Sequence, residues 1–124
     1  MHPTLLCRLA ALAASAWVLL AAYPTLAHAI VLEAAPEVGA MLHAGAVDVY
    51  LRFNSRIDRH RSRLKLLDAA GKETAVALDG NTPADVIAAH ISNLTPGDYR
   101  LRWQVLALDG HITRGDIPFS VTAP

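Results

Sequence analysis

Two side chains that could hold a metal ion stand close together near the end of the sequence, in Leu108-Asp109-Gly110-His111. In an extended segment, residues i and i+2 project to the same side. The Asp109 carboxylate and the His111 imidazole could then be aimed at one point from positions about 6–7 Å apart along the strand. Asp-Gly is also a common hairpin turn. Taken alone, the tetrapeptide favours the turn interpretation and leaves a ligand pair as the alternative.

A third candidate ligand depends on how the beginning of the chain is processed. Residues 9–22 form an apolar run interrupted only by Ser15, which has the length of a signal-peptide core and is short for a membrane span. A cut after Ala27 would make His28 the first residue, whereas a cut after Ala29 would remove it. The run could also be retained as an anchor. We expect a signal peptide at residues 1–27 and an exported domain at 28–124.

A histidine at the start of a chain can supply two nitrogens, because its α-amine and ring Nδ1 can close a chelate on one ion. The reference pKa of an α-amine is about 7.7–8.0, so a metal can displace its proton near neutral pH. With the His111 imidazole and an Asp109 oxygen, His28 would complete a nitrogen and oxygen donor set suited to one Cu(II) ion. Zn(II) accepts the same donors but prefers a tetrahedron.

Composition excludes several other kinds of function. Residues 28–124 carry ten Lys and Arg against eleven Asp and Glu, a net charge of −1 with histidine neutral. This balance provides no overall basic field for nucleic acid or an anionic membrane surface. The only cysteine, Cys7, precedes the expected cut, so the domain has neither a disulfide nor a thiolate nucleophile.

Short alternating segments separated by turn residues indicate an all-β fold. The period of two is clearest in residues 47–53, 99–105 and 117–121, and residues 64–67 and 74–78 suggest two further strands. Residues 86–91 could be a strand or a brief helix, and the charged residues 56–63 fit a solvated loop better than an interaction patch. About seven strands favour an antiparallel Greek-key β-sandwich or barrel, Ig-like or cupredoxin-like in type.

Most of the remaining aromatic and histidine residues have structural or surface interpretations. Trp103 stands in an alternating strand, so core packing is favoured over ligand stacking. His60 lies among arginines, which repel cations, and His43 and His90 stand alone near turns. We therefore expect these three histidines at the surface. The predicted core is made by five residues, Val49, Phe53, Leu101, Trp103 and Phe119.

Several of these segments together resemble the CopC family of periplasmic copper-binding proteins. They are the start at His28, the loop at residues 35–39, the strand end Leu51-Arg52-Phe53-Asn54, and residues 96–103 running on to Asp109-Gly110-His111-Ile112-Thr113-Arg114-Gly115. The resemblance implies a Greek-key β-sandwich that binds Cu(II) through the N-terminal amine and imidazole and through the His and Asp of a D-x-H motif. These donors correspond to His28, His111 and Asp109.

The resemblance also implies a role: a non-enzymatic periplasmic copper carrier or chaperone, expected as a monomer, that exchanges copper with an inner-membrane partner of the CopD type. Two features depart from the family pattern. Met41 is the only methionine after the leader, which argues against a Cu(I) site, and Asn54-Ser55 lacks an acidic residue that some relatives carry. The alternatives are a copper-dependent oxidative enzyme using the same terminal histidine, and a structural sandwich with an incidental turn.

Overall fold

The computed structural model describes residues 29–124, and the regular structure of this part of the chain is β-strand. None of these residues forms a helix long and apolar enough to cross a bilayer. The eight strands are β1 Val31–Ala35, β2 Ala40–His43, β3 Gly45–Phe53, β4 Ile57–Leu67, β5 Glu73–Val76, β6 Val86–Leu94, β7 Gly97–Ala107 and β8 Ile112–Thr122.

The strands form two sheets, with the order β1-β3-β6 in one and β2-β8-β7-β4-β5 in the other. Neighbouring strands are antiparallel, except that β2 pairs with β8 in parallel. The predicted all-β sandwich is confirmed, with eight strands in place of about seven. The ambiguous residues 86–91 belong to a strand.

The core lies between the sheets and is filled by the inward-facing residues of the longer strands. All five predicted core residues are buried, at 0–7% exposure. The Trp103 indole packs edge to face on Phe53, with ring centroids 5.3 Å apart, and Phe119 stacks on Tyr99 at 5.6 Å. The interpretation of Trp103 as a core residue is therefore confirmed.

The charged segment at residues 56–63 was expected to be a loop, and this expectation is wrong, because most of it lies in β4. Asp58 pairs with Leu106 and Arg63 pairs with Gln104, so a bulge places the four residues between them opposite Val105 alone. The buried Ser62 side chain accepts a hydrogen bond from Leu106 N and donates one to Asp58 O. The bulge breaks the period of two by which a strand is recognised in a sequence.

Gly115 makes room for the indole at the centre of the sheet. It pairs with Trp103 across β7 and β8, and a Cβ atom built on it would lie closer than 3.0 Å to three indole atoms. Contacts that short do not occur in folded proteins, so a larger residue at this position must displace the buried ring.

We expect Gly115→Ala to destabilise the domain by about 1–3 kcal/mol, the usual cost of overpacking a core. For a domain of this size each kcal/mol lowers the melting temperature by about 4–8 °C. Gly80→Ala is the matched control, since Gly80 has open space around its Cα and no positive φ. Thermal unfolding followed by circular dichroism compares the two, and equal melting temperatures would contradict the steric argument.

Candidate metal centre

Asp109 and His111 lie in the tight connection between β7 and β8. Gly110 N donates to Ala107 O at 3.0 Å, Ala107 N donates to His111 O at 2.9 Å, and Gly110 has a φ of +90°. A glycine with positive φ after a turn is the usual way to close a three-residue hairpin loop. The turn interpretation that the tetrapeptide favours therefore describes the backbone, and the alternative of an extended segment does not.

The turn brings the two candidate ligands into direct contact. One Asp109 oxygen, Oδ1, accepts a hydrogen bond from His111 N at 3.0 Å, and the other, Oδ2, lies 2.9 Å from His111 Nδ1. Both side chains remain accessible to solvent, His111 at 60% and Asp109 at 31%. The structure thus confirms that the two side chains lie close together, and the turn is what brings them into contact.

This contact determines which imidazole nitrogen can bind a metal. An ionised carboxylate only accepts hydrogen bonds, so in a neutral His111 ring the proton is on Nδ1 and the lone pair is on Nε2. A carboxylate in this position fixes the tautomer and orientation of a ligating histidine in many metal sites. Asp109 therefore presents His111 as an Nε2 donor.

The direction of the His111 side chain follows from its place in the sheet. Leu101, Trp103, Val105 and Ala107 face the core along β7, and their partners on β8 face the same way. Ala107 is bonded to the backbone of His111, so His111 continues the inward-facing row just beyond its last buried member. The imidazole accordingly stands at the open end of the sandwich.

The first residues that the structure describes lie at this same end. Ile30 N donates to Asn54 Oδ1 at 2.8 Å, and Asn54 N donates to Ile30 O at 2.9 Å. Asn54 is the first residue of the connection from β3 to β4. At the start of β4, Ile57 pairs with Ala107 next to the turn. Ala29 is buried in the core cluster at 2% exposure. The third predicted ligand, His28, precedes Ala29 and lies outside the described residues.

Asn54 anchors the first described residues beside the candidate site, and sequence reasoning missed this contact. In the sequence it marked only the end of a strand and the absence of an acidic group. Its role depends on a pairing between residues 24 positions apart, which no local pattern reveals. The available signal was the residue type, because an Asn beyond a strand end has an amide that can bond a neighbouring backbone.

The other histidines stay at the surface, as expected. His43 and His60 are exposed, and His90 is 58% exposed with its Nδ1 2.6 Å from Asp48 Oδ1 on the neighbouring strand. Among residues 29–124, no three His, Cys, Asp or Glu side chains come together in a way that could hold a metal ion. The described part of the candidate site is therefore the Asp109–His111 pair.

Several charges elsewhere on the domain form ion pairs between neighbouring strands. Arg102 binds Asp116 through two hydrogen bonds of 2.9 and 3.1 Å, and its guanidinium lowers the pKa of that carboxyl below the usual range. Arg52 likewise donates to Glu33 at 2.7 Å and lowers the pKa of that carboxyl. These pairs tie neighbouring strands together, β7 to β8 and β1 to β3.

The fold and the site together define a class of protein, a small two-sheet β-sandwich that presents a carboxylate and an imidazole on a hairpin at one end. A model of the CopC domain matches residues 31–122. The chain belongs to the CopC family. The resemblance inferred from the sequence is thus confirmed.

Solved structures agree with this assignment. CopC from Methylosinus trichosporium OB3b is 27% identical, with a TM-score of 0.69 over 77% of this chain and 95% of that one. PcoC, a methionine-rich copper resistance protein from Escherichia coli, is 22% identical, with a TM-score of 0.62 over 77% and 100%. Fibronectin(III)-like modules of Clostridium thermocellum CbhA share the fold at a TM-score of 0.51 and 16% identity, over 78% and 47%. None of the curated proteins compared with the chain matches it.

Proposed function

We propose that this protein binds one Cu(II) ion in the periplasm, after removal of residues 1–27, and carries it without catalysing a reaction. The donors are the His28 amine and Nδ1, His111 Nε2, and an Asp109 oxygen that exchanges its contact with His111 Nδ1 for the ion. The observation that carries the proposal is the shared position of the Asp109–His111 pair and the anchored Ile30 at one end of the sandwich. Membership of the CopC family supports the choice of copper.

The donor set favours Cu(II) over Cu(I). Nitrogen and oxygen ligands suit Cu(II), whereas Cu(I) prefers thioether or thiolate sulfur. The described residues contain no cysteine and one methionine, Met41, which is 75% exposed on β2. A single thioether does not make a Cu(I) site, so a carrier of the oxidised ion is the function that these residues support.

A copper-dependent oxidative enzyme is the alternative use of a terminal histidine. Direct ligation by Asp109 would occupy a coordination position that oxygen needs, which favours a carrier. Oxygen consumption by the copper-loaded protein in the presence of ascorbate distinguishes the two. A carrier consumes oxygen no faster than an equal amount of free copper, and a faster, protein-dependent rate would favour the enzyme.

Processing and binding can be tested on the same sample. Intact-mass analysis of the exported protein identifies its first residue, and titration with Cu(II) against a competing chelator gives the stoichiometry. We expect a mass that begins at His28, a monomer, and one tightly held ion per chain. A chain that begins at Ile30, or one that retains no copper, would contradict the proposal. The latter result would favour a structural sandwich. We also propose that the protein exchanges copper with an inner-membrane partner of the CopD type, as the family resemblance implies.

Asn54 should act as a positioning residue for the site. Asn54→Ala removes the acceptor of Ile30 N and loosens the segment that leads to His28. One hydrogen bond contributes about 0.5–1.5 kcal/mol, so we expect copper affinity to fall by about 2- to 10-fold. Asn81→Ala, at an exposed loop position, is the control. Competitive Cu(II) titration measures both, and equal affinities would show that the anchor does not contribute.

A further inference from the structure

The arginine-rich segment at residues 56–63, most of which lies in β4, has no role in the proposed donor set. Four arginines occur in eight residues, at positions 56, 59, 61 and 63. Arg59 has a structural role, since its guanidinium donates to Gly80 O and Thr82 O at 2.8 and 2.6 Å and holds the loop before β6. The other three are exposed, and Arg114 is exposed on β8 opposite Gln104. We call Arg56, Arg61, Arg63 and Arg114 the basic ridge.

The ridge is poorly neutralised, in contrast to the paired arginines farther from the turn. Arg61 reaches Asp58 only at 3.9 Å and is 76% exposed. Arg63 donates to two backbone carbonyls, and Arg114 donates to the side-chain amide oxygen of Gln104 at 2.7 Å. These acceptors are neutral. They hold the guanidinium groups in place but do not compensate their positive charge. The ridge is a local positive surface on a domain with a net charge of −1.

The ridge lies beside the candidate metal centre. Arg63 and Arg114 both flank Gln104, and the next row toward the turn contains Leu106 and Ile112. Leu108 follows Leu106 by two positions, which corresponds to about 7 Å in an extended chain. Leu108 and Ile112 are 68% and 55% exposed on either side of the Asp109–His111 pair. Apolar and basic groups therefore border the copper ligands on the same end of the protein.

We propose that the basic ridge, with Leu108 and Ile112, is the docking surface for an acidic protein that exchanges Cu(II) with this site. This inference rests on the proposed function. Copper passes from one site to another by ligand exchange, so the partner must bring its own donors to the turn. Carboxylates around those donors complement the arginines, which align the partner and speed the encounter. A lipid surface would offer phosphates but no imidazole ligands for Cu(II), and this favours a protein.

The test measures how fast copper leaves the protein for acceptors of different charge. Two synthetic peptides share an Asp-Ala-His amino terminus that binds Cu(II), and one continues with glutamates while the other continues with lysines. Stopped-flow absorbance follows transfer from the copper-loaded protein to each peptide. We expect transfer to the glutamate peptide to be at least about tenfold faster at low ionic strength, with a difference that shrinks as salt is added.

Paired substitutions then locate the surface. Arg56→Gln with Arg61→Gln neutralises two ridge positions. Lys72→Gln with Arg100→Gln removes the same charge at the far end of the sheet. Arg100 lies 3.8 Å from Asp116, a pairing as weak as that of Arg61. We expect the ridge pair to slow transfer to the glutamate peptide about tenfold, and the control pair to change it less than twofold. Neither pair should change the equilibrium affinity for Cu(II).

Each failure has a distinct meaning. A wild-type protein that does not bind copper would contradict the proposed function. Normal copper binding with equal transfer rates for both peptides, or equal slowing by both pairs of substitutions, would contradict the docking surface alone. Sedimentation with phosphatidylglycerol vesicles at about 0.15 M salt tests the lipid alternative. Vesicle binding that the ridge substitutions abolish would assign the ridge to a membrane and overturn the protein partner.

Discussion

His111→Ala should lower the affinity for Cu(II) by at least about a hundredfold while the domain remains folded. Loss of a supporting group around a metal site already costs about 10- to 100-fold, and His111 is expected to be a direct ligand. The side chain is 60% exposed and outside the core, so its removal leaves the packing intact. Competitive titration with a chelator of known affinity measures the change.

His90→Ala is the matched control for this substitution. His90 is exposed to a similar extent and also contacts a carboxylate, that of Asp48, but it lies on the other sheet. We expect the copper affinity of the His90→Ala variant to stay within about twofold of wild type. If both histidine variants bind copper as the wild type does, the hairpin is not a metal site. If both lose it equally, binding depends on histidines in general and the turn has no special role.

One extra glycine before His28 should weaken copper binding by orders of magnitude, although it alters no side chain. The addition converts the α-amine of His28 into an amide. A protonated amide nitrogen has no lone pair to donate, so the chelate between the His28 amine and Nδ1 is lost. Cu(II) can displace the amide proton only by also binding the new glycine amine, which lies outside the original donor set. The measurement is a Cu(II) titration of the two forms, each verified by intact mass.

The control for the extended form is the same glycine added to His111→Ala. If the amine and the His111 ring bind the same ion, the two changes are not additive, because each already disrupts the shared site. Equal affinities of the authentic and extended proteins would show that the amine does not ligate. Strictly additive losses would indicate two separate sites.

The predictable parts of the fold are those where burial follows a local period. β3, β7 and β8 alternate between core and solvent, so the sequence identifies both the strands and their buried members, including Phe53 and Trp103. β6 is ambiguous because Val86 and Ile87 are both buried in succession, which hides the alternation. The second half of β4 is predicted by residues 64–67, whereas the first half is missed because its bulge shifts the register among exposed arginines.

The candidate site divides in the same way. Asp109 and His111 are two residues apart, so residue types and spacing are enough to select them. Their actual contact needs the Gly110 turn, which closes the pair more tightly than an extended strand would. Asn54 could not be selected, because its importance comes from a bond to Ile30 that only the assembled sandwich creates. The parallel pairing of β2 with β8 is likewise a long-range contact without a local signature.

The most direct test of the account is electron paramagnetic resonance of the one-copper protein, produced with histidine labelled with ¹⁵N in the ring only. Two imidazoles and one α-amine on a single Cu(II) ion predict two ¹⁵N couplings and one remaining ¹⁴N coupling. Acetylation of the His28 amine should remove that ¹⁴N signal. A spectrum in which every coupled nitrogen changes to ¹⁵N would show that the amine is not a ligand, and a single ring nitrogen would show that His28 and His111 do not share the ion.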